Sequence, residues 1–206
     1  MIKIIDKYGK LSDQIGDKIK SIVAGDSATD DWGKILRIYS GFDPTGKLHL
    51  GHSVLLKKLR QFQDLGHEII VLIGDFTAQI GDPTDKLAVR KKLTKEEIKV
   101  NTKDYKKLIG KILDTKKSNL RFLHNEHWTN KLNPSDMLEI ASYFTVSQLL
   151  ERDMFQNRLK DNQPIRLHEL LYPVSQAIDS VKMIQGGVDL EIGVLAWPLK
   201  LEDRIV

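Results

Sequence analysis

The sequence predicts an α/β fold, an open parallel sheet flanked by helices, within one domain of a 206-residue chain. Two observations carry this. Ile69-Ile70-Val71-Leu72-Ile73 is an unbroken apolar run, the pattern of a parallel strand buried on both faces rather than of a half-exposed one. Before it stand a short apolar strand, a turn rich in glycine and proline, and an amphipathic helix, which together make a βαβ unit.

Taken in order, Ile15, Ile19 and Ile22 recur at helical spacing and predict a helix over 10–24, with Gly25 beyond its end. Ile35, Leu36 and Ile38 predict a strand over 34–40. Gly41-Phe42-Asp43-Pro44-Thr45-Gly46-Lys47 is turn chemistry, since the proline forces Asp43 out of the helical region. Leu55, Leu59 and Phe62 share one face of a helix over 49–65 that Gly66 stops. After the strand at 69–73, Thr94 and Glu97 form a capping box that opens a lysine-rich helix reaching 114. Leu120 to Leu123 predicts a short strand. Helices follow over 135–143, 147–157 and 167–185, with Pro173 either kinking the last or starting its main segment. A final strand is expected over 188–192.

Composition narrows the function classes. There is no cysteine, which excludes a disulfide frame, a thiolate nucleophile and a zinc ribbon. The amino-terminal residues lack the apolar core of a signal peptide, and no apolar run approaches the ~18 residues of a membrane span, so a soluble cytoplasmic protein without membrane contact is expected. The net charge of +4 is small but uneven. Residues 86–117 hold 12 Lys and Arg against 4 acids, leaving −4 for the rest. That segment is either a solvated helix face or a surface for phosphates or RNA.

In open α/β sheets ligands bind beyond the carboxyl ends of the strands, here residues 39–43 and 74–77. His49-Leu50-Gly51-His52 opens the helix after the first of these. Two imidazoles and a glycine beside free backbone N–H groups and a positive helix end suit a phosphate. A metal is not expected, because no third ligand stands at suitable spacing. Tyr172, Gln176 and Asp179 fall at i, i+4 and i+7, so one helix face presents all three. Such a polar stripe among Leu170, Leu171, Val174 and Ile178 is odd for a core and natural for a site.

The run from Tyr39 to His52 resembles the first signature of class I aminoacyl-tRNA synthetases in its tyrosyl version. The resemblance continues through Leu72 to Thr84, Asn125-Glu126-His127-Trp128, Tyr143 to Val146 and Leu171 to Asp179, and covers roughly 10–193. It implies a Rossmann-like catalytic domain that joins L-tyrosine and ATP, with Mg²⁺, into tyrosyl-adenylate for transfer to tRNA(Tyr). ATP is then a co-substrate, and no tightly bound cofactor is implied. Tyr39 and Asp179 match the pair that binds the substrate's phenol hydroxyl. Tyr172, Gln176 and Asp82 match the groups that hold its ammonium, with Asn125 nearby. Thr45 and His49 match residues on the γ-phosphate, and His52 and Ser40 match contacts near the ribose. Gly41, Asp43 and Gly51 line the same ATP cleft. Lys86 and Arg90 match a mobile basic clamp on the leaving pyrophosphate. No side chain needs to act as nucleophile or base, because the tyrosine carboxylate attacks. A homodimer is implied, with its interface near 120–167.

The family pattern breaks at three places. Asp85 stands where a glycine is usual, the segment after Gly193 lacks the Gly-Ser/Thr-Asp-Gln run that holds ribose and substrate, and the lysine-rich second signature and anticodon-binding region are missing. The expected division is therefore an incomplete catalytic domain over 1–193 and a divergent tail over 194–206, which binds tyrosine while its catalysis is crippled. Two other readings stay open: a non-catalytic paralogue or fragment that binds RNA or a protein partner, and a small nucleotidyltransferase with the same histidine motif.

Overall fold

Strand β1 (Ile2–Asp6) lies at the edge of a five-stranded sheet whose other members are β2 (Arg37–Phe42), β3 (Glu68–Ile73), β4 (Leu120–His124) and β5 (Leu190–Val194). This computed structural model describes residues 2–6, 35–81 and 93–194. The predicted helix at 10–24, and with it Asp82, Asp85, Lys86, Arg90 and all but the first residue of the tail, lies outside them. The strand order is β1-β5-β2-β3-β4. β5, β2, β3 and β4 run parallel, as the buried apolar run predicts, while β1 pairs antiparallel with β5 from Ile2 opposite Val194 to Asp6 opposite Leu190. That antiparallel edge was not anticipated.

Apolar alternation along β3 divides the core. Ile69, Val71 and Ile73 face helices α1 (Leu50–Asp64) and α3 (Lys95–Ile109), where they meet Leu55, Leu59, Phe62, Tyr105 and Ile109. Ile70 and Leu72 face the opposite side with Tyr39, Met183 and Val188. A third apolar cluster joins Leu149, Val174 and Ile178 to Met137, Ile140 and Phe144, so a helical layer closes over that second face. At the amino ends of the strands, Glu68 bridges Arg37 at 2.9 Å and Arg121 at 2.8 Å, well away from the carboxyl ends where the site lies.

Most helix ends follow their sequence signals. Thr94 and Glu97 close the expected capping box, with Glu97 N–H donating to Thr94 Oγ1 at 3.1 Å and Thr94 N–H to Glu97 Oε2 at 2.8 Å. α3 stops at Gly110 rather than running to 114. Asn133 caps α5 (Pro134–Ser142), which has proline in its first turn where no N–H is missed. The single helix expected over 147–157 is two, α6 (Val146–Leu150) and α7 (Asp153–Lys160), because Arg152 is extended (φ −66°, ψ 138°) at the junction. Leu167–Leu170 forms a 3₁₀ turn before α8 (Leu171–Gln185), so Pro173 starts the main segment instead of kinking it. Two short helices, α2 (Thr77–Ile80) and α4 (Glu126–Thr129), follow the carboxyl ends of β3 and β4 and were not foreseen.

The topology dictates where a ligand goes. From β2 the chain moves outward to β3 and β4, then returns on the other side of β2 as β5. The crossovers part at the carboxyl ends of β2 and β5, and the crevice between them is the natural ligand site.

Candidate active site

Tyr39 sits on β2 in direct register with Glu191 on β5, at that switch point. Its hydroxyl hydrogen-bonds Glu191, lies 3.4 Å from Ser180 Oγ, and stands close enough to Asp179 to feel its charge. Burial first, and then the Glu191 charge, push the Tyr39 phenol well above its ordinary range. Asp179 is 8% exposed and anchored on both oxygens: Trp128 Nε1–H donates to Oδ1 at 2.8 Å and Asn125 Nδ2–H to Oδ2 at 3.0 Å. Even so, burial raises its carboxyl to about 7; the two donors pull the other way, while Asp43 and Glu191 push it further up. Burial also raises Glu191, with Tyr39's hydroxyl partly offsetting it. Two desolvated acids around one phenol make a strong acceptor site for a further hydrogen-bond donor.

Asn125 is completely buried. Its amide oxygen accepts from Phe76 N–H, and its amide nitrogen donates to Thr77 Oγ1 and Asp179 Oδ2. Toward the other end, Tyr172 donates to Asp43 Oδ2 at 2.7 Å and Thr77 to Asp43 Oδ1 at 2.6 Å, tying α8, α2 and the β2–α1 turn together. Gly74 is required there, since a Cβ would overlap the Asp43 carboxylate and the Thr77 hydroxyl. Gln176 Oε1 accepts from Arg152 Nη1 at 3.3 Å and Nη2 at 3.4 Å. Burial lowers the Arg152 guanidinium, and its Nε–H has no partner. Tyr172, Gln176 and Asp179 thus share one face of α8, as their spacing predicts.

His49 and His52 make a capping box from two imidazoles. Gly51 N–H donates to His49 Nδ1 and His49 N–H to His52 Nδ1, both at 3.2 Å, with the ring centroids 4.1 Å apart. A Cβ on Gly51 would press on the His49 ring at 2.9 Å, so the glycine also lets the ring fold back onto the helix. Because each Nδ1 accepts, each neutral ring carries its proton on Nε2, away from the cap. Burial, and then the neighbouring His49, lower His52 below the usual histidine range, which keeps it neutral at pH 7. Exposed His49 and half-buried Thr45 lie at the mouth of this helix end, beside exposed Gly41. Ser40 is 1% exposed, and its hydroxyl has no partner. Asn101, from α3, holds the turn by donating to the Pro44 carbonyl at 2.9 Å.

Sequence reasoning missed three residues. Glu191 had a signal, a lone charge in the apolar run Leu190 to Ile192. Trp128 stood inside a recognised motif without an assigned role. Arg152 had no signal until its break in the helix was visible. A further trio, Asp75, His124 and Glu126, brings three potential metal-ligand atoms within 4.8 Å of one another. The Lys106 ammonium supplies positive charge there, 3.0 Å from His124 Nε2.

Comparison with known proteins decides the family. The profile of tRNA synthetases class I (W and Y) matches residues 33–193, most of the chain and all the elements that build this site. The chain belongs to that family. Within it, the chain is 50% identical over 159 residues to a tyrosine–tRNA ligase of Desulfotalea psychrophila, and 50% identical over 162 residues to that of Carboxydothermus hydrogenoformans. These alignments cover 77% and 78% of this chain but 38% of either relative. The chain therefore spans about two fifths of the length of those synthetases. Among solved structures, a C-terminally truncated mitochondrial tyrosyl-tRNA synthetase of Aspergillus nidulans superposes with a TM-score of 0.62 at 27% identity, over 75% of this chain and 47% of that one. The synthetase fold expected from the motifs is the one observed.

Proposed function

We propose that this chain carries the amino-acid-activating half of a tyrosine–tRNA ligase: it binds L-tyrosine and Mg²⁺-bound ATP, and joins them into tyrosyl-adenylate for transfer to tRNA(Tyr). The observation that carries the reading is the buried meeting of Tyr39 from β2 with Asp179 from α8 at the switch point. A substrate phenol donating to Asp179 satisfies an acceptor whose burial is otherwise unfavourable. A phenylalanine ring leaves it unpaired. Tyr172 and Gln176 mark the ammonium end on the same helix face, and Asp82 joins them by family resemblance.

In the reaction the tyrosine carboxylate oxygen attacks the α-phosphorus, a P–O bond forms, and the bond to the bridging oxygen breaks to release pyrophosphate. Thr45, His49 and His52 are assigned to the phosphates, with the outward Nε2–H groups donating to charge that grows on the leaving group. Lys86 and Arg90 complete that clamp by resemblance. Gly41, Gly51 and the orphaned Ser40 hydroxyl are assigned to the nucleoside side of the cleft.

Two partners follow. On α3, Lys95, Lys99, Lys103 and Lys107 lie exposed at four-residue intervals, a cationic ridge suited to an RNA backbone such as that of tRNA. Exposed Leu138, Tyr143, Val146 and Leu167 along α5, α6 and the 3₁₀ turn offer the apolar face of a homodimer. Among the described residues no helix is long and apolar enough to cross a membrane.

Titration calorimetry with this chain tests the reading. Tyrosine should bind with one site per chain, and phenylalanine should bind far more weakly. Tyrosine-dependent exchange of labelled pyrophosphate into ATP should appear when the chain is joined to the carboxyl-terminal region of one of its relatives. A folded chain that ignores tyrosine sinks the proposal.

A further inference from the structure

Two turns at the floor of the pocket hold each other by the same device. Asp75, in the turn after β3, accepts the backbone N–H of Glu126 on Oδ1 at 3.1 Å. Asn125, in the turn after β4, accepts the backbone N–H of Phe76 on Oδ1 at 2.9 Å. The exchange leaves the Asn125 amide nitrogen to donate to Thr77 Oγ1 at 3.2 Å and Asp179 Oδ2 at 3.0 Å. Asp75 Oδ2 takes a second donor, His124 Nδ1, at 2.5 Å. Lys106 Nζ stands 3.0 Å from His124 Nε2, and an ammonium can only donate, so the ring proton belongs on Nδ1. Asp75 is 6% exposed; both its oxygens accept from donors, and the Glu126 carboxylate lies within 4.8 Å as the one like charge among the described neighbours.

We propose that Asp75 and His124 are positioning residues for tyrosine recognition: by clasping the β4–α4 turn from both sides of Asn125, they fix the amide that aligns Asp179 with the substrate phenol. The inference rests on the tyrosine reading of the pocket. It assigns a purpose to the line from Lys106 through His124 to Asp75, which the tyrosine and nucleotide assignments above leave unused. A carboxylate is needed at 75. In Asp75→Asn the amide oxygen keeps Glu126 N–H, but the amide nitrogen opposes His124 Nδ1–H. If the ring moves its proton to Nε2 to accept instead, that proton meets the Lys106 ammonium. One donor faces another in either tautomer.

The test uses the full chain, calorimetry with tyrosine between pH 6 and 8.5, and thermal unfolding as a control on the fold. Asp75→Asn and His124→Phe should weaken tyrosine binding at pH 7 about 10-fold, the scale of one misaligned hydrogen bond to a charged group. His124→Asn keeps an N–H aimed at Asp75 and should stay within about 2-fold of the parent on the same scale. The pH midpoint of tyrosine affinity should also move upward in the two weakened variants. Around Asp179, Asn125 and Trp128 stabilise the charge while burial, Asp43 and Glu191 oppose it, so losing the Asn125 donor shifts the balance one way. A merely structural clasp would lower the unfolding temperature and leave that midpoint unchanged. Folded Asp75→Asn and His124→Phe chains with parental affinity and midpoint overturn the proposal, as does a His124→Asn chain as weak as His124→Phe. If Asp75→Asn does not fold, the two His124 variants decide. A parent chain that binds no tyrosine overturns the pocket reading and this inference together, whereas a parent that binds beside unaffected variants overturns this inference alone.

Discussion

The two ends of the crevice are built on opposite principles. At the phenol end the polar groups are buried and held from several elements: Asp179 has donors on both oxygens, and Asn125 behind it is fully enclosed. At the end assigned to the nucleotide Gly41, His49 and Gly51 are exposed, and among the described residues the hydrogen bonds of the two imidazoles stay within the first turn of α1. Rigid, desolvated groups discriminate between ground states, because a wrong ligand leaves them unpaired. Exposed donors at a helix end contribute little to binding in water and gain strength only when charge develops against them. On the proposed function, the comparison assigns selection among amino acids to the buried end and rate to the open one.

Substitutions at each end can break that division. The largest expected effect is on rate. With the chain joined to the carboxyl-terminal region of a relative, His49→Ala should slow tyrosine-dependent pyrophosphate exchange by ~10²–10³-fold while tyrosine affinity stays nearly constant. His49 also caps α1, so His49→Asn is the control: asparagine keeps the cap yet lacks the outward Nε2–H. If His49→Asn restores the rate, the motif is structural and the division fails. Next, Asp179→Ala should weaken tyrosine binding roughly 100-fold or more, the scale of a buried charged acceptor removed from its donor, with ATP affinity unaltered. Equal losses for both ligands would mean a collapsed crevice instead of a lost contact.

Sequence patterns made the scaffold legible because its determinants are local. β3, the turn at 41–47, the cap of α3 and the i, i+4, i+7 stripe on α8 are all written within a few residues of one another. The antiparallel pairing of β1 with β5 joins positions at opposite ends of the chain, and nothing near Ile2 announces it. The site was legible in its residues and less so in its wiring. Tyr39 and Asp179 were assigned to one hydroxyl, and the structure brings them together. For Asn125 the resemblance implied a place near the ammonium-binding groups, and only the fold shows its partners: Phe76 N–H, Thr77 Oγ1 and Asp179. Glu191 is the plainest omission. A charge in a buried strand is a signal, but its meaning depends on cross-strand register with Tyr39.

The buried end should also reveal itself through pH. Asp179 titrates at about 7, and a substrate phenol donates best to its ionised form. Tyrosine affinity should therefore fall as pH drops below 7, by up to about 10-fold per unit for a single proton taken up on release of the ligand. Neither the phenol nor the ammonium of free tyrosine titrates between pH 6 and 8, so the ligand does not contribute to the profile. Calorimetry across that range checks it. A flat profile would mean that tyrosine binds the protonated and ionised forms alike, with Tyr39 carrying the recognition.

The smallest effect concerns the stability of the same end. Burial raises Glu191 above the ordinary carboxylate range while it accepts from Tyr39. In the folded chain it holds its proton more tightly than in the unfolded one, so its contribution to stability declines as pH rises through the unfolded value and on to the folded one. Glutamine keeps an acceptor for the Tyr39 hydroxyl without a charge to bury. Glu191→Gln should therefore leave stability nearly unchanged near pH 4, where both states are protonated, and raise it at pH 8 by about 1 kcal/mol, a fraction of what a fully desolvated charge would forfeit. Urea unfolding at the two pH values measures the difference. An equal gain at both would assign the effect to packing rather than charge, and a loss at pH 8 would show that the ionised Glu191–Tyr39 pair stabilises the crevice. Either result would move Glu191 out of the set of strained acids and leave Asp179 alone to account for the contrast between the two ends.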